Sequence, residues 1–271
     1  MILVNGQPQE SVSVLDRGFS YGDGLFETIR MLAGHAPLWS RHMQRLALGC
    51  ERLRLPLPDA QQLREEALQV SVGLPDAVLR ITLTRGSGER GYALPAVSNM
   101  TRVVAAFPMS AIPATVHRDG IRMHLCTTTL AEQPLLAGVK HLNRLEQVLA
   151  RAEWNDPAVA EGLVCDQHGR VISATAANLF AVIDDTLVTP SVDRCGVAGV
   201  ARAAILHAQP ACEIRDISLA ECLRASELFL SSSVRGILPV QALGNTVYAP
   251  GPVTRAMQQC WRGLGFPLEQ A

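Results

Sequence analysis

Strand and helix patterns alternate irregularly along this chain, unlike the repeating strand–helix–strand order of a doubly wound sheet. Amphipathic helix patterns at residues 40–55 and 59–72 lie between strand patterns at 25–32 and 78–84. No G-x-G-x-x-G sequence follows a strand pattern, which argues against a dinucleotide-binding domain. The order of elements therefore predicts an α+β fold.

A proline-containing stretch separates the two halves of this pattern. Residues 108–115 hold two prolines among small residues, and proline both fixes φ and removes a backbone donor, which suits a connection better than a regular element. We predict a small N-terminal α+β domain over residues 1–107, a linker over 108–115, and a larger C-terminal domain over 116–271. With 48% apolar residues, the 271-residue chain can bury a core in each domain.

Charge and apolar patterning exclude several classes of partner. The formal net charge of -1 offers no electrostatic footprint for nucleic acid. No stretch approaches the roughly 18 uninterrupted apolar residues of a membrane span, and residues 1–10 lack the pattern of a secretory signal. The seven cysteines show neither a C-x-x-C pair nor metal-ligand spacing, so no metal site is expected. We expect a cytoplasmic enzyme or binding protein that acts on small molecules.

Lys140 is the one lysine among 24 lysine and arginine residues. Arginine replaces lysine wherever only charge is needed, but it stays protonated and presents no free amine. Lysine alone can form a Schiff base with a carbonyl compound. Lys140 also follows a loop and precedes a helical pattern, so it can project into a cleft. The alternative is that drift toward arginine left one lysine by chance.

Three segments of the chain could bind one anion. Residues 196–202 place two glycines before an apolar helix pattern, which leaves backbone N–H groups available at a helix N-terminus. Residues 231–233 are three serines after a strand pattern, and Arg45 could add a positive charge. Each feature alone is also typical of an ordinary helix entry, polar turn or solvated face. Together with Lys140, they indicate a phosphorylated carbonyl cofactor, pyridoxal 5′-phosphate.

Three motifs resemble the fold-type IV pyridoxal-phosphate enzymes, which include D-amino acid and branched-chain aminotransferases and aminodeoxychorismate lyases. They are L-D-R-G-F-S-Y-G-D-G-L-F-E at 15–27, K-H-L-N-R-L-E-Q at 140–147 and A-A-N-L-F at 176–180. The resemblance spans nearly the whole chain and implies the D-amino acid aminotransferase-like fold. The second motif and R-G-S-G-E-R-G-Y at 85–92 look most like the lyases.

The resemblance implies roles for matching positions. Lys140 would form the Schiff base with the cofactor and later act as a base, and Thr28 would donate a proton to the leaving group. Arg85 and Arg90 are candidates for binding two substrate carboxylates, unless they are solvated loop residues. The remaining cofactor contacts would come from Arg45, Ser173, Asn178, Gly199, Val200, Ala201, and Ser232 or Ser233.

Ser173 departs from the family pattern, because many relatives carry at this position a glutamate that faces the pyridine nitrogen. A serine hydroxyl favours a protonated ring less than a carboxylate does, so the ring accepts electrons less strongly unless Thr175 or a water compensates. Transamination depends on a strongly electron-accepting ring more than an elimination does when the elimination forms an aromatic product.

We therefore expect a homodimer that binds a small dicarboxylate substrate. It would convert 4-amino-4-deoxychorismate to 4-aminobenzoate and pyruvate, a step in folate biosynthesis. A D-amino acid or branched-chain aminotransferase of the same fold is one alternative, and a non-catalytic ligand-binding protein is another.

Overall fold

The computed structural model describes residues 1–267, which form two compact units. The first unit contains Met1–Ser110 and Val139–Asn143, and the second contains Ala111–Gly138 and residues 144–267. Lys140 thus groups with the first unit, whereas the sequence had placed it in the C-terminal domain. No helix within residues 1–267 is long and apolar enough to cross a membrane.

The first unit is a five-stranded antiparallel sheet with two helices packed on one face. Its strand order is β2-β1-β5-β4-β3, so β3 lies at an edge. The elements are β1 Ile2–Val4, β2 Gln7–Pro8, α1 Arg17–Tyr21, β3 Gly24–Leu32, α2 Trp39–Leu53, α3 Ala60–Val70, β4 Asp76–Thr84 and β5 Thr101–Pro108.

The two-residue period of β3 separates a core face from an open face. Leu25, Ile29 and Met31 are buried with Leu46 of α2 and Leu63 of α3 in one hydrophobic cluster. The alternate positions of β3 point to the other face of the sheet, away from both helices. That open face, which neither helix covers, carries Phe26, Thr28 and Arg80, whereas Glu27 lies on the helix-covered face.

Residues Val139–Asn143 extend the sheet along the outer edge of β3. Phe26 N–H donates to the carbonyl oxygen of Lys140 at 3.0 Å, and Leu142 N–H donates to that of Gly24 at 3.0 Å. These backbone bonds explain why the segment groups with the first unit. The sequence reasoning missed this long-range pairing because it considered Lys140 only with its chain neighbours.

The second unit contains a nine-stranded mixed sheet. The strand order is β11-β10-β9-β12-β13-β6-β7-β8, with β14 beside β13. The elements are α4 Ala114–Asp119, β6 Ile121–Leu125, α5 Leu145–Arg151, β7 Val159–Cys165, β8 Val171–Ala174, β9 Asn178–Ile183, β10 Thr186–Pro190, α6 Val200–Ala208, β11 Glu213–Arg215, α7 Leu219–Arg224, β12 Glu227–Ser232, β13 Gly236–Leu243, β14 Thr246–Val247 and α8 Pro252–Gly263.

The helix expected after Lys140 differs from its sequence interpretation. The helical spacing of Leu142, Leu145, Leu149 and Ala152 predicts that they form its core-facing side. In the structure, α5 leaves Leu145 76% and Leu149 61% exposed, while Ala150 is buried. Leu142 lies before the helix and pairs with Gly24. The helical spacing was present, but it marks an exposed apolar stripe on α5 instead of a core face.

Candidate active site

Lys140 lies against an aromatic ring on the first unit. Its ammonium nitrogen is 4.2 Å from the ring centroid of Phe26, and the guanidinium carbon of Arg80 is also 4.2 Å from that centroid. Both contacts are within the range of cation–π interactions. A primary amine and a guanidinium therefore share one aromatic ring, an arrangement that can meet a carbonyl group and an anion together.

Thr28 lies on the same open face of the sheet. It is two residues from Phe26 on β3 and stands directly opposite Arg80 on β4. Sequence reasoning missed Arg80, although a charged residue between buried Leu79 and Ile81 was a usable signal. Within residues 1–267, Arg80 forms no ion pair with a carboxylate, so its charge is available to a ligand.

Arg45, the predicted phosphate ligand, is fixed by a buried acid. Its Nε donates to Glu27 Oε1 at 2.7 Å, a second guanidinium nitrogen bonds the other carboxylate oxygen, and His42 Nδ1 lies 2.7 Å from Oε2. Burial raises the pKa of Glu27, but the charge of Arg45 and the hydrogen bonds from His42 and Arg45 outweigh it and lower that pKa to about 2. The bidentate pair orients Arg45 before any ligand binds.

Replacing Glu27 with glutamine should destabilise the protein by about 3 kcal/mol at pH 7, because it leaves a largely buried guanidinium without its acid. A carboxyl whose pKa is lowered from 4.5 to about 2 stabilises the fold above pH 4.5 and loses that effect as the pH falls toward 2. The difference in free energy of unfolding between wild type and Glu27→Gln, measured with urea, should therefore shrink as the pH falls from 4.5 toward 2. Glu51→Gln, an exposed change on α2, is the control and should stay within about 0.5 kcal/mol of wild type. Equal stability of Glu27→Gln and wild type at pH 7 would contradict this interpretation.

The two arginines expected to bind substrate occupy different environments. Arg85 is only 3% exposed and donates to Asp23 and to the carbonyl oxygens of Leu53 and Arg54 at the end of α2. These bonds use four of the five guanidinium N–H donors, which gives Arg85 a structural role in place of the predicted substrate contact. Arg90 is exposed in the loop after β4 and stays a candidate.

The second unit presents backbone donors at the start of α6. Asn178 Nδ2 donates to the carbonyl oxygen of Val197 at 2.9 Å. A Cβ built on Gly199 would lie 1.9 Å from Asn178 Oδ1, although Gly199 has an ordinary φ of -68°. Position 199 therefore requires glycine because the Asn178 side chain comes so close to its backbone. The N–H groups of Val200 and Ala201, in the first turn of α6, have no acceptor within the helix. Residues 199–201 at the start of α6, called the cradle below, can therefore bind a phosphate group.

The three serines at residues 231–233, at the end of β12, differ in their hydrogen bonds and burial. Ser232 Oγ accepts from the backbone N–H groups of Val234 and Arg235, which leaves its own proton to donate. Ser233 is half-buried in the same turn. Ser231 belongs to the predicted anion-binding segment but was not one of its two named phosphate contacts; it is 2% exposed and pairs with Asn178 across the sheet. Its hydroxyl has no hydrogen-bond partner within residues 1–267, which marks an anion-facing candidate beside the α6 cradle.

A buried acid lies close to the position where the family glutamate is absent. Ser173 is on β8, half-buried, and pairs with Val164. Two residues further on, the Thr175 hydroxyl donates to the buried carboxylate of Glu161, which also bonds Arg235. No periodicity or motif points to Glu161, because its contact joins β7 to the turn after β8.

The described chain contains no cluster suited to a metal ion. Within residues 1–267, no group of three or more histidine, cysteine, aspartate or glutamate side chains could hold one. The candidate donors are instead an amine, guanidinium groups, hydroxyls and helix amides. This donor set suits an organic phosphate and a carbonyl group.

Known proteins share this sequence and fold over almost their full length. The model of the amino-transferase class IV family matches residues 24–243. An aminodeoxychorismate lyase of Vibrio harveyi is 35% identical over 266 residues, which cover 95% of this chain and 98% of that protein. The crystal structure of 4-amino-4-deoxychorismate lyase from Pseudomonas aeruginosa is 48% identical with a TM-score of 0.92, covering 97% of this chain and 98% of that one.

The predicted fold is also shared with an aminotransferase. The branched-chain amino acid aminotransferase of Escherichia coli has a TM-score of 0.86 and 26% identity, covering 97% of this chain and 93% of that one. These similarities confirm the predicted α+β fold of fold-type IV enzymes. Because the family model matches most of its length, the chain belongs to the amino-transferase class IV family.

Proposed function

We propose that this protein is a lyase that converts 4-amino-4-deoxychorismate to 4-aminobenzoate and pyruvate with pyridoxal 5′-phosphate as its cofactor. The observation that carries the proposal is the placement of the single lysine amine on the same ring as Arg80. The substrate has an amine that can exchange with Lys140 and two carboxylates that a guanidinium can bind. The 48% identity to the P. aeruginosa lyase supports this substrate class.

The residues present fit the cofactor at both of its polar ends. Lys140 would hold the aldehyde, and the amides of Val200 and Ala201 would hold the phosphate, since the Gly199 cradle leaves them open. When bound, the cofactor supplies an electron-accepting ring. The other proposed contacts are Arg45 and Ser232 or Ser233 to the phosphate, Asn178 as the brace of the cradle, and Ser173 near the ring.

Lys140 has two successive roles in the proposed reaction. Its amine would hold the cofactor, and its neutral form would accept the proton from the substrate carbon that bears the nitrogen. Thr28 donates a proton to the enolpyruvyl oxygen as its bond to the ring breaks. The ring becomes aromatic, and the released enol becomes pyruvate.

Arg80 is proposed to bind a substrate carboxylate, with Arg90 as a second candidate. Replacing Arg80 with methionine should raise KM about 10–100-fold, the range for losing one hydrogen bond to a charged group. Arg64→Met is a matched control, because Arg64 lies 5.5 Å from the Trp39 ring and likewise loses a cation–π contact. Steady-state kinetics would check both variants, and an unchanged KM for Arg80→Met would remove Arg80 from substrate binding.

The direct test of the reaction uses cofactor-loaded protein and enzymatically prepared aminodeoxychorismate. We expect 4-aminobenzoate fluorescence to appear together with an equal amount of pyruvate. Single-turnover spectra with D-alanine or a branched-chain amino acid test for an aminotransferase, which would convert the cofactor to pyridoxamine phosphate. Formation of pyridoxamine phosphate without 4-aminobenzoate would overturn the lyase assignment.

We also propose that the enzyme is a cytoplasmic homodimer. Leu145, Val148 and Leu149 form an exposed apolar stripe on α5, and such surfaces are often covered in assemblies. All seven cysteines are free thiols, which suits a reducing compartment. Sedimentation equilibrium of the purified protein should give twice the chain mass of 29.2 kDa, and a monomer mass would contradict the dimer.

A further inference from the structure

We propose that backbone bonds at Gly138 couple anion binding at the start of α6 to the capture of an aldehyde by Lys140. Gly138 lies two residues before Lys140 in the chain. The inference rests on the proposed function, in which Lys140 takes the cofactor aldehyde and the amides after Gly199 take its phosphate. We infer in addition that phosphate binding at the start of α6 strengthens aldehyde capture by Lys140, and that aldehyde capture strengthens phosphate binding.

A two-bond bridge connects the lysine-bearing loop to the turn before α6. Gly138 N–H donates to the carbonyl oxygen of Gly196 at 3.0 Å, and Ala198 N–H donates to that of Gly138 at 3.0 Å. Gly138 and Gly196 have φ values of +78° and +86°, conformations that favour glycine. The bridge therefore depends on a backbone shape that other residues adopt only with strain.

The turn that receives this bridge also begins the anion cradle. The carbonyl oxygen of Val197 accepts from Asn178, and Gly199 caps α6 while touching the same asparagine. One short segment, residues 196–199, thus bonds Gly138 on one side and positions the helix amides on the other. An anion that holds these amides in one arrangement also favours the arrangement that bonds Gly138.

A second set of contacts keeps the loop and the turn together upstream of the bridge. Gln133 N–H donates to the carbonyl oxygen of Arg194 at 2.9 Å, and Arg194 lies 3.8 Å from the Glu132 carboxylate. Arg170 also pairs with Glu132. Residues 132–138 therefore run beside residues 194–198, so a shift of the turn is transmitted to Gly138.

The coupling can be measured with pyridoxal, which has the aldehyde but lacks the phosphate. Apoprotein is titrated with pyridoxal in the absence and presence of inorganic phosphate, and imine absorbance gives the dissociation constant. Borohydride reduction and peptide mass spectrometry identify the modified residue. We expect phosphate to tighten pyridoxal binding at Lys140 by about tenfold, within the usual range of coupling between two sites.

Gly138→Ala and Gly169→Ala form a matched pair for this measurement. Both glycines have a φ of +78°, so alanine is disfavoured by the backbone conformation at each. A Cβ on Gly138 would meet its nearest atom at 3.6 Å, and one on Gly169 would meet nothing within 4 Å. Gly138→Ala should lose most of the phosphate effect, whereas Gly169→Ala, in the turn between β7 and β8, should keep it.

The possible outcomes separate this inference from the proposed function. If wild-type protein does not form an imine with pyridoxal phosphate at Lys140, the proposed function fails. If it does, but phosphate leaves pyridoxal binding unchanged or tightens it equally in Gly138→Ala, the coupling is wrong. Hydrogen exchange on wild-type protein needs no variant: phosphate should slow exchange in residues 133–138, and unchanged exchange there would also overturn the coupling.

Discussion

Replacing Lys140 with alanine should give a colourless protein whose turnover falls by at least about 10³-fold, since it removes both the nucleophile and the base. Lys140 supplies the one side-chain amine of the whole sequence, so no neighbouring lysine can replace it. Its backbone is fixed to β3 by the Phe26 amide and its side chain lies on the Phe26 ring. The substitution therefore removes the amine and leaves the anchoring bonds of the backbone in place.

Lys140→Arg is the matched control for charge. It keeps a cation that can lie on the Phe26 ring but cannot form an imine. We expect the same loss of colour and turnover in Lys140→Arg as in Lys140→Ala. Absorbance spectra, borohydride trapping and 4-aminobenzoate release are the measurements. Turnover within about tenfold of wild type in either variant would disprove the proposed chemistry, because general acid–base catalysis alone contributes about 10²–10⁴-fold.

The sequence was most informative where structure is local or where one residue type has unique chemistry. The short, mostly apolar run at residues 178–183 predicts a buried strand, and β9 has these bounds, Asn178–Ile183. The helix at 40–55 corresponds to α2, Trp39–Leu53, because its apolar spacing matches one buried helix face. Lys140 was singled out because only an amine can form an imine.

The sequence was least informative where function depends on contacts between distant segments. Arg80 meets Phe26 only because β3 and β4 pair in one register. Glu161 reaches Thr175 and Arg235 across three different segments. Arg85 looked like a loop arginine, but its loop folds back onto the end of α2 and buries the side chain. No period or motif encodes these contacts, because they follow from sheet register and chain topology.

Replacing Gly199 with alanine should raise the dissociation constant for pyridoxal phosphate about 100-fold, which corresponds to about 2.7 kcal/mol. The φ of -68° means that alanine introduces no backbone strain, so the effect comes from the side chain alone. Its Cβ would lie 1.9 Å from Asn178 Oδ1, so the turn or the asparagine must move. Either movement displaces the amides of Val200 and Ala201, which the helix leaves unbonded.

A double-mutant cycle with Asn178→Ala isolates that cause. Asn178→Ala alone loses the bond to the Val197 carbonyl oxygen and should weaken cofactor binding by about 3–10-fold, the usual value of one hydrogen bond. In that background Gly199→Ala meets no amide oxygen, so its further effect should be well below 100-fold. Cofactor titration of apoprotein gives all four constants. An equal effect of Gly199→Ala in both backgrounds would exclude the clash with Asn178 as the cause.

Pyridoxal, which lacks the phosphate, should lose at most the coupling factor of about tenfold on Gly199→Ala in phosphate-free buffer, well below the loss for pyridoxal phosphate. If pyridoxal and pyridoxal phosphate were weakened equally, the start of α6 would not be the phosphate site.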